Sequence, residues 1–173
     1  MNTERSDAMV EDFRARTNGA KRRLAEFEKT FDTSPDKIFP LLCPTRERDW
    51  IPGWECELIY TESGYAEENC VIRTKDSSPL GSGIWVITRH EPNSRFELVR
   101  VTPNLVIQLE IKLIDNADGT THTKWTALTT GITEQGNEIV KQMPDDDEKH
   151  GFLMACLEHY LRTGEMLEPA LAR

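Results

Sequence analysis

The chain has 173 residues, 38% of them hydrophobic, and a formal net charge of -9 at pH 7. That length builds one domain with a real core and leaves no comfortable room for two. The negative balance, with no dense basic face, excludes a partner gripped through its phosphate backbone, so no nucleic acid is expected. No apolar run approaches the roughly 18 residues of a membrane span. The opening MNTERSDAMVEDFRAR lacks the apolar centre of a secretory leader, which makes the cytoplasm the expected compartment. Cys43, Cys56, Cys70 and Cys156 form no CxxC and no Cys/His pair at ligand spacing. They sit within apolar patterns and are expected to be reduced core residues.

Residues 1–20 alternate charged and small side chains and are expected to form a flexible arm, ahead of a domain at 21–167 and a tail at 168–173. Leu24 to Phe31 reads as a first strand. Ser34 as cap, Pro35 in the first helical position and Asp36 in the first turn then predict a short helix. Pro40 weakens that helix and Pro44 ends it; Thr45 caps a second brief turn closed by Pro52-Gly53. Six strand-like runs follow, at 54–61, 66–74, 82–90, 95–102, 105–115 and 120–131. Their joints are short and carry turn residues (Ser63-Gly64, Ser78-Pro79-Leu80-Gly81, Pro92-Asn93, Pro103-Asn104, Asp118-Gly119), so the neighbours are antiparallel. After a helical turn or two at 133–142 comes the long helix 145–164, capped by Asp145 and ended by Gly164. Its Phe152, Leu153, Cys156, Leu157, Tyr160 and Leu161 fall on one half of the wheel, and that half is expected to lie on the sheet.

The faces of three strands agree with one another. A turn at Pro103-Asn104 sets Ile107 opposite Arg100, Leu109 opposite Leu98 and Ile111 opposite Phe96. A turn at Pro92-Asn93 sets Phe96 opposite Arg89, Leu98 opposite Ile87 and Arg100 opposite Trp85. Trp125 joins this face only if the loop at Asp118-Gly119 has an odd length, so a bulge is expected there. In 66–74 either Glu67 or Glu68 could face inward.

Strand, two short helices, six antiparallel strands and a long C-terminal helix make an α+β order that resembles the helix-grip fold of the START-like, or SRPBCC, superfamily. The phrases SPDKIFPLLCP, RDWIPGW, GSGIWVITR and EHYLRTG carry the resemblance from about Lys21 to Leu167. In phrasing the chain is similar to bacterial, polyketide-cyclase-like members. The resemblance implies a cavity between a curved seven-stranded sheet and the last helix, for an apolar or amphipathic small molecule. It implies no reaction, because the superfamily shares no catalytic motif.

The residues expected to line that cavity are Trp85, Arg89, Leu98, Arg100, Ile107, Leu109 and Trp125 from the sheet, facing Leu153, Leu157 and Tyr160 of the helix. Trp50 and Trp54 flank Pro52-Gly53 at one end, either plugging it or lining the entrance. Tyr60 joins the set if Trp54, Cys56, Leu58 and Tyr60 share their strand's inner face. Arg89 and Arg100 have two open roles: pairing with carboxylates near strand ends, or anchoring an anionic or carbonyl group through their planar forks. Arg46, Glu47, Arg48 and Asp49 read as a solvated face. His90, His122, His150 and His159 are scattered without metal-ligand spacing, and the acidic run at 145–148 lacks the glycine of a calcium loop. No GxSxG, P-loop or GxGxxG is present. No metal, cofactor or catalytic residue is therefore nominated. The expected partner is a small amphipathic or aromatic ligand, bound by a monomer or homodimer acting as carrier or sensor. A cyclase/aromatase- or hydrolase-type enzyme using Arg89 and Tyr60 is the alternative, and a co-chaperone-like protein-binding module is a third reading.

Overall fold

The period-two alternation of the sequence becomes a seven-stranded, wholly antiparallel sheet in a computed structural model that describes residues 19–75, 81–143 and 148–168. The strands are β1 (Arg22–Phe31), β2 (Cys56–Tyr60), β3 (Val71–Thr74), β4 (Gly83–Glu91), β5 (Arg95–Val101), β6 (Leu105–Asp115) and β7 (Thr121–Gly131), in the order β1-β7-β6-β5-β4-β3-β2. Between β1 and β2 lie two short helices, α1 (Pro35–Ile38) and α2 (Pro44–Glu47), joined by a 3-10 turn at Phe39–Leu42. Helix α3 (Glu134–Gln142) follows β7, and α4 (Glu148–Thr163) is the long helix. The arm before residue 19, the turn at Ser78-Pro79-Leu80, the cap at Asp145 and the end of the tail lie outside the described residues.

Pro44 opens α2 rather than ending α1, because a proline at the first helical position gives up only an amide that has no helical partner. Ser34 occupies the cap position of α1, but its hydroxyl donates to Asp36 at 2.5 Å instead of accepting from the helix. Thr133 does cap α3, accepting from the Gly136 amide at 3.0 Å. A Cβ on Gly136 would stand 2.0 Å from the Asn104 carbonyl oxygen, so this glycine lets α3 close onto the β5–β6 turn.

Opposite Leu98, Phe96 and Arg100 stand Leu109, Ile111 and Ile107, as the alternation predicts. Trp125 joins that face without any bulge: the loop 116–120 is odd in length, and the β6–β7 ladder runs unbroken from Asp115 with Thr121 to Leu105 with Gly131. The irregularities fall elsewhere. In β4 the pairing slips between Ile87 and Arg89, so His90 rather than Arg89 opposes Phe96. In β2 it slips between Leu58 and Tyr60, so Tyr60 opposes Val71 on the outer face. Each slip inserts one residue and reverses the side chains beyond it.

Helix α4 lays Met154, Cys156 and Leu157 onto the concave face of the sheet, where Phe31, Phe96, Ile111, Leu113 and Trp125 are also buried. Lys29 of β1 pairs with Glu158 at 2.7 Å and pins the helix flank. Glu67 resolves the ambiguity of its segment, which is loop: its carboxylate accepts from the Ser63 amide at 3.2 Å and Thr61 Oγ1 at 2.9 Å. Leu157 has no exposed surface. Leu157→Ala is expected to cost about 2–5 kcal/mol, read as a fall in urea midpoint, because the lost side chain leaves a cavity between helix and sheet. Under native conditions Cys156 should resist thiol reagents that label the half-buried Cys56.

Candidate functional site

The concave face is closed at both ends and thin in the middle. Leu105 and Val140 are buried at the α3 end, and Ile111, Leu113, Phe96 and Trp125 are buried in the main core at the other, Phe96 edge-on to Phe39 of the 3-10 turn. Between them Ala25 of β1 pairs with Ala127 of β7, which pairs with Leu109 of β6. Two methyl side chains abreast fill less of the face than a larger pair would, and we term this small-residue patch the recess. Phe27, Trp125 and Ile111 border it on one side, and Arg23, Thr129 and Ile107 on the other. Ile107, Leu109, Ala127 and Phe27 are accordingly half-buried, as is Leu153, one turn ahead of the fully buried Leu157. Phe27 stacks on Trp125 with 5.4 Å between ring centroids.

Arg100 lies on the next strand, beside Ile107, and is 6% exposed. Its guanidinium stacks on Trp85 at 5.1 Å and donates to the Gly81 carbonyl. Trp85 donates to Thr74 Oγ1 at 2.7 Å and meets Trp54 edge-on at 5.7 Å. Arg100, Trp85 and Trp54 thus form one line of contacts across the concave face, running toward β2 and α2.

At the end of that line the Pro44 carbonyl accepts from both Trp54 Nε1, at 2.8 Å, and the Cys56 thiol, at 3.1 Å. Beside them sits the Glu47 carboxyl. Its Oε2 is sealed from solvent and has no hydrogen-bond partner, although the residue as a whole retains some exposed surface. Burial alone pushes the carboxyl up to about 8 from its ordinary 4.5, so it is mostly protonated at neutral pH. Burial first, and the nearby Glu47 second, push the Cys56 thiol up as well. The adjacent Arg46 is committed elsewhere, to Asp49 at 2.6 Å and to the Tyr160 hydroxyl of α4.

Among the described residues no three His, Cys, Asp or Glu side chains gather to hold a metal ion, and no helix is long and apolar enough to cross a membrane. A groove of about 620 Å³ lies on the flank of α4, lined by Phe31, Asp32, Glu158, His159, Arg162 and Leu167 among others. None of the residues expected from the sequence lines it.

No protein-family model matches the chain, and no curated protein does. Solved structures do. A START superfamily protein from Mycobacterium smegmatis superposes with a TM-score of 0.62 at 12% identity, covering 80% of this chain and 97% of its own. The fold is START-like. Norcoclaurine synthase from Thalictrum flavum, in complex with dopamine and hydroxybenzaldehyde, gives 0.62 at 12% identity and covers 86% and 91%. A protein of unknown function from Staphylococcus aureus gives 0.64 at 15% identity and covers 84% and 97%. At such identities the START-like fold is shared and nothing finer is transferred.

Within this START-like fold the structure brings together Trp54, Trp85, Leu98, Arg100, Ile107, Leu109, Trp125, Leu153 and Leu157 on the sheet–helix interior. Trp50 is core: 1% exposed, it donates to the Leu41 carbonyl at 2.9 Å. Tyr160 is half-buried against the core, with its hydroxyl turned to Arg46. Two expected lining residues are corrected. The slip in β4 turns Arg89 outward, where it pairs with Glu91 at 2.8 Å and Glu97 at 3.1 Å. The slip in β2 leaves Tyr60 56% exposed, with its hydroxyl 3.4 Å from Glu62. His90 takes the inward place of Arg89, edge-on to Phe39 at 5.0 Å, and burial lowers its pKa. Glu47 also departs from expectation, being interior rather than part of a solvated face. The side chain of His150 lies outside the described residues.

Glu47 gives a pH signature. Between about 4.5 and about 8 the folded chain keeps a proton on this carboxyl that the unfolded chain has released. Stability therefore falls as pH rises through that window, by up to about 1.4 kcal/mol per pH unit from this group, and levels off above it. Glu47→Gln, which cannot ionise, should gain on wild type steadily from pH 5 to pH 8 in urea unfolding. A difference that stays flat with pH would contradict a buried acid.

Proposed function

We propose that the chain binds a small amphipathic or aromatic molecule on the concave face between the sheet and α4, as a carrier or sensor. The observation that carries this reading is the Ala25–Ala127 recess. Around it Ile107, Leu109, Ala127 and Phe27, neighbours in the sheet ladder, are half-buried, and Leu153 of α4 is half-buried as well. Apolar lining with a few placed polar groups, here Arg100 and Thr129 at its rim, is the usual make-up of a small-molecule site. The neighbour that holds dopamine and hydroxybenzaldehyde supports an aromatic ligand of modest size.

The alternative enzyme loses its nominated pair, because Arg89 and Tyr60 both lie on the convex side. The protein-docking reading has a convex face laced by ion pairs, Arg89 with Glu97 and Arg95 with Glu97 and Glu110, which lower its appetite for apolar contact. Four unpaired thiols fit a reducing compartment, and we assign the protein to the cytoplasm.

Ala127→Phe should fill the recess and weaken binding at least tenfold while leaving the circular dichroism spectrum unchanged. The readout is quenching or shift of tryptophan fluorescence, which Trp54, Trp85 and Trp125 are placed to report. Arg89→Ala should leave binding unaltered and change stability little, as the loss of exposed ion pairs does. If Ala127→Phe binds like wild type, the ligand does not use the recess.

A further inference from the structure

Helix α2 puts a carboxyl group where nothing answers it. Glu47 Oε2 has no solvent contact and no hydrogen-bond partner, whereas its neighbours are satisfied. Trp54 and Cys56 both donate to the Pro44 carbonyl, and Arg46 is held by Asp49 and Tyr160. Leaving a buried acceptor unmade is destabilising, and a short, proline-started helix does not need a glutamate to form. A leucine there would remove the cost. A sealed, unsatisfied acceptor is an arrangement that a ligand bringing a donor would complete.

The chemistry of that partner follows from its surroundings. The groups around the corner are the Cys43 and Cys56 thiols, Arg46 and Arg48 on the same segment, and Tyr160 from α4. Arg46 is engaged, and Arg48 is exposed. No fixed cation therefore compensates Glu47. The chain carries a net charge of -9, which draws cations and repels anions. Trp54, edge-on to Trp85, donates to the same Pro44 carbonyl as Cys56, the thiol that Glu47 neighbours, and aromatic rings attract cations.

We propose that Glu47 is the polar anchor of the concave site, and that it receives the ammonium group of an amphipathic amine whose apolar body lies along Trp54 and Trp85 toward the Leu109 recess. This rests on the ligand-binding reading above and adds the head-group class. As the ammonium arrives, the Glu47 proton leaves to solvent and a charge-assisted hydrogen bond replaces it. Binding is thus coupled to proton release at neutral pH.

The test uses decylamine, decanol and decanoic acid, below their aggregation limits, against the full chain at pH 7. Tryptophan fluorescence gives affinity, and calorimetry in two buffers of different ionisation enthalpy counts protons. Wild type should bind decylamine more tightly than decanol and decanoic acid, and release close to one proton per decylamine bound. Glu47→Gln and Glu47→Leu should weaken decylamine at least tenfold and shift decanol less than twofold. Decylamine binding that is unchanged in both variants, or that releases no proton, overturns the assignment of Glu47 while decanol binding keeps the cavity. Equal loss of decanol and decylamine in both variants makes Glu47 a shaping residue and also overturns it. If decanol and decylamine both fail to bind wild type, the cavity reading falls and this one with it.

Discussion

A β-strand offers each side chain one of two faces, and everything about this site depends on which face each residue is given. Inner and outer positions alternate with period two, so one inserted residue exchanges them for the remainder of the strand. Two such insertions decide the polarity of the concave face. The slip after Ile87 sends Arg89 outward to Glu91 and Glu97 and brings His90 in against Phe39 and Phe96. The slip after Leu58 sends Tyr60 to the convex side. Without them the interior would hold an arginine and a phenol suited to polarising a carbonyl. With them it holds a neutral imidazole packed among rings.

Much of this architecture was legible because it rests on local rules that agree. Proline, glycine and asparagine marked the turns, and the bulk alternation in 95–102 and 105–115 aligned Leu98 with Leu109 and Phe96 with Ile111. The helical wheel of α4 put Cys156 and Leu157 on the sheet. The bulges were not legible, since a slip of one residue is set by how two strands twist together and leaves no mark in either strand's composition. The Arg89–Glu91 spacing of two residues was the available signal: same-face opposite charges near a strand end suit the solvent side. Ala25 opposite Ala127 was also readable once β1 and β7 are paired, but small residues attract no attention in a search for chemistry.

Glu47 was hidden for a different reason. It stands in a run of four charged residues, RERD, which on composition alone is a solvated face. A helix of one turn begun by Pro44 points its third and fourth residues in different directions, and here Arg46 turns to Asp49 and Tyr160 while Glu47 turns inward beside Cys56. Only the tertiary packing of α2 against β2 makes that choice. The outcome is a concave face that carries aliphatic side chains, two indoles and the Glu47 carboxyl, on a START-like fold shared with a START superfamily protein and norcoclaurine synthase.

The central claim is that the recess on the concave face, and no other surface, takes the ligand. Methyl NMR of the alanine, isoleucine, leucine and valine side chains during titration with decanol tests it most directly. The account predicts saturable shifts at Ala25, Ala127, Ile107, Leu109 and Leu153. Shifts confined to the convex residues Leu24, Leu128 and Val99, or to Leu161 and Leu167 beside the flanking groove of α4, would contradict it.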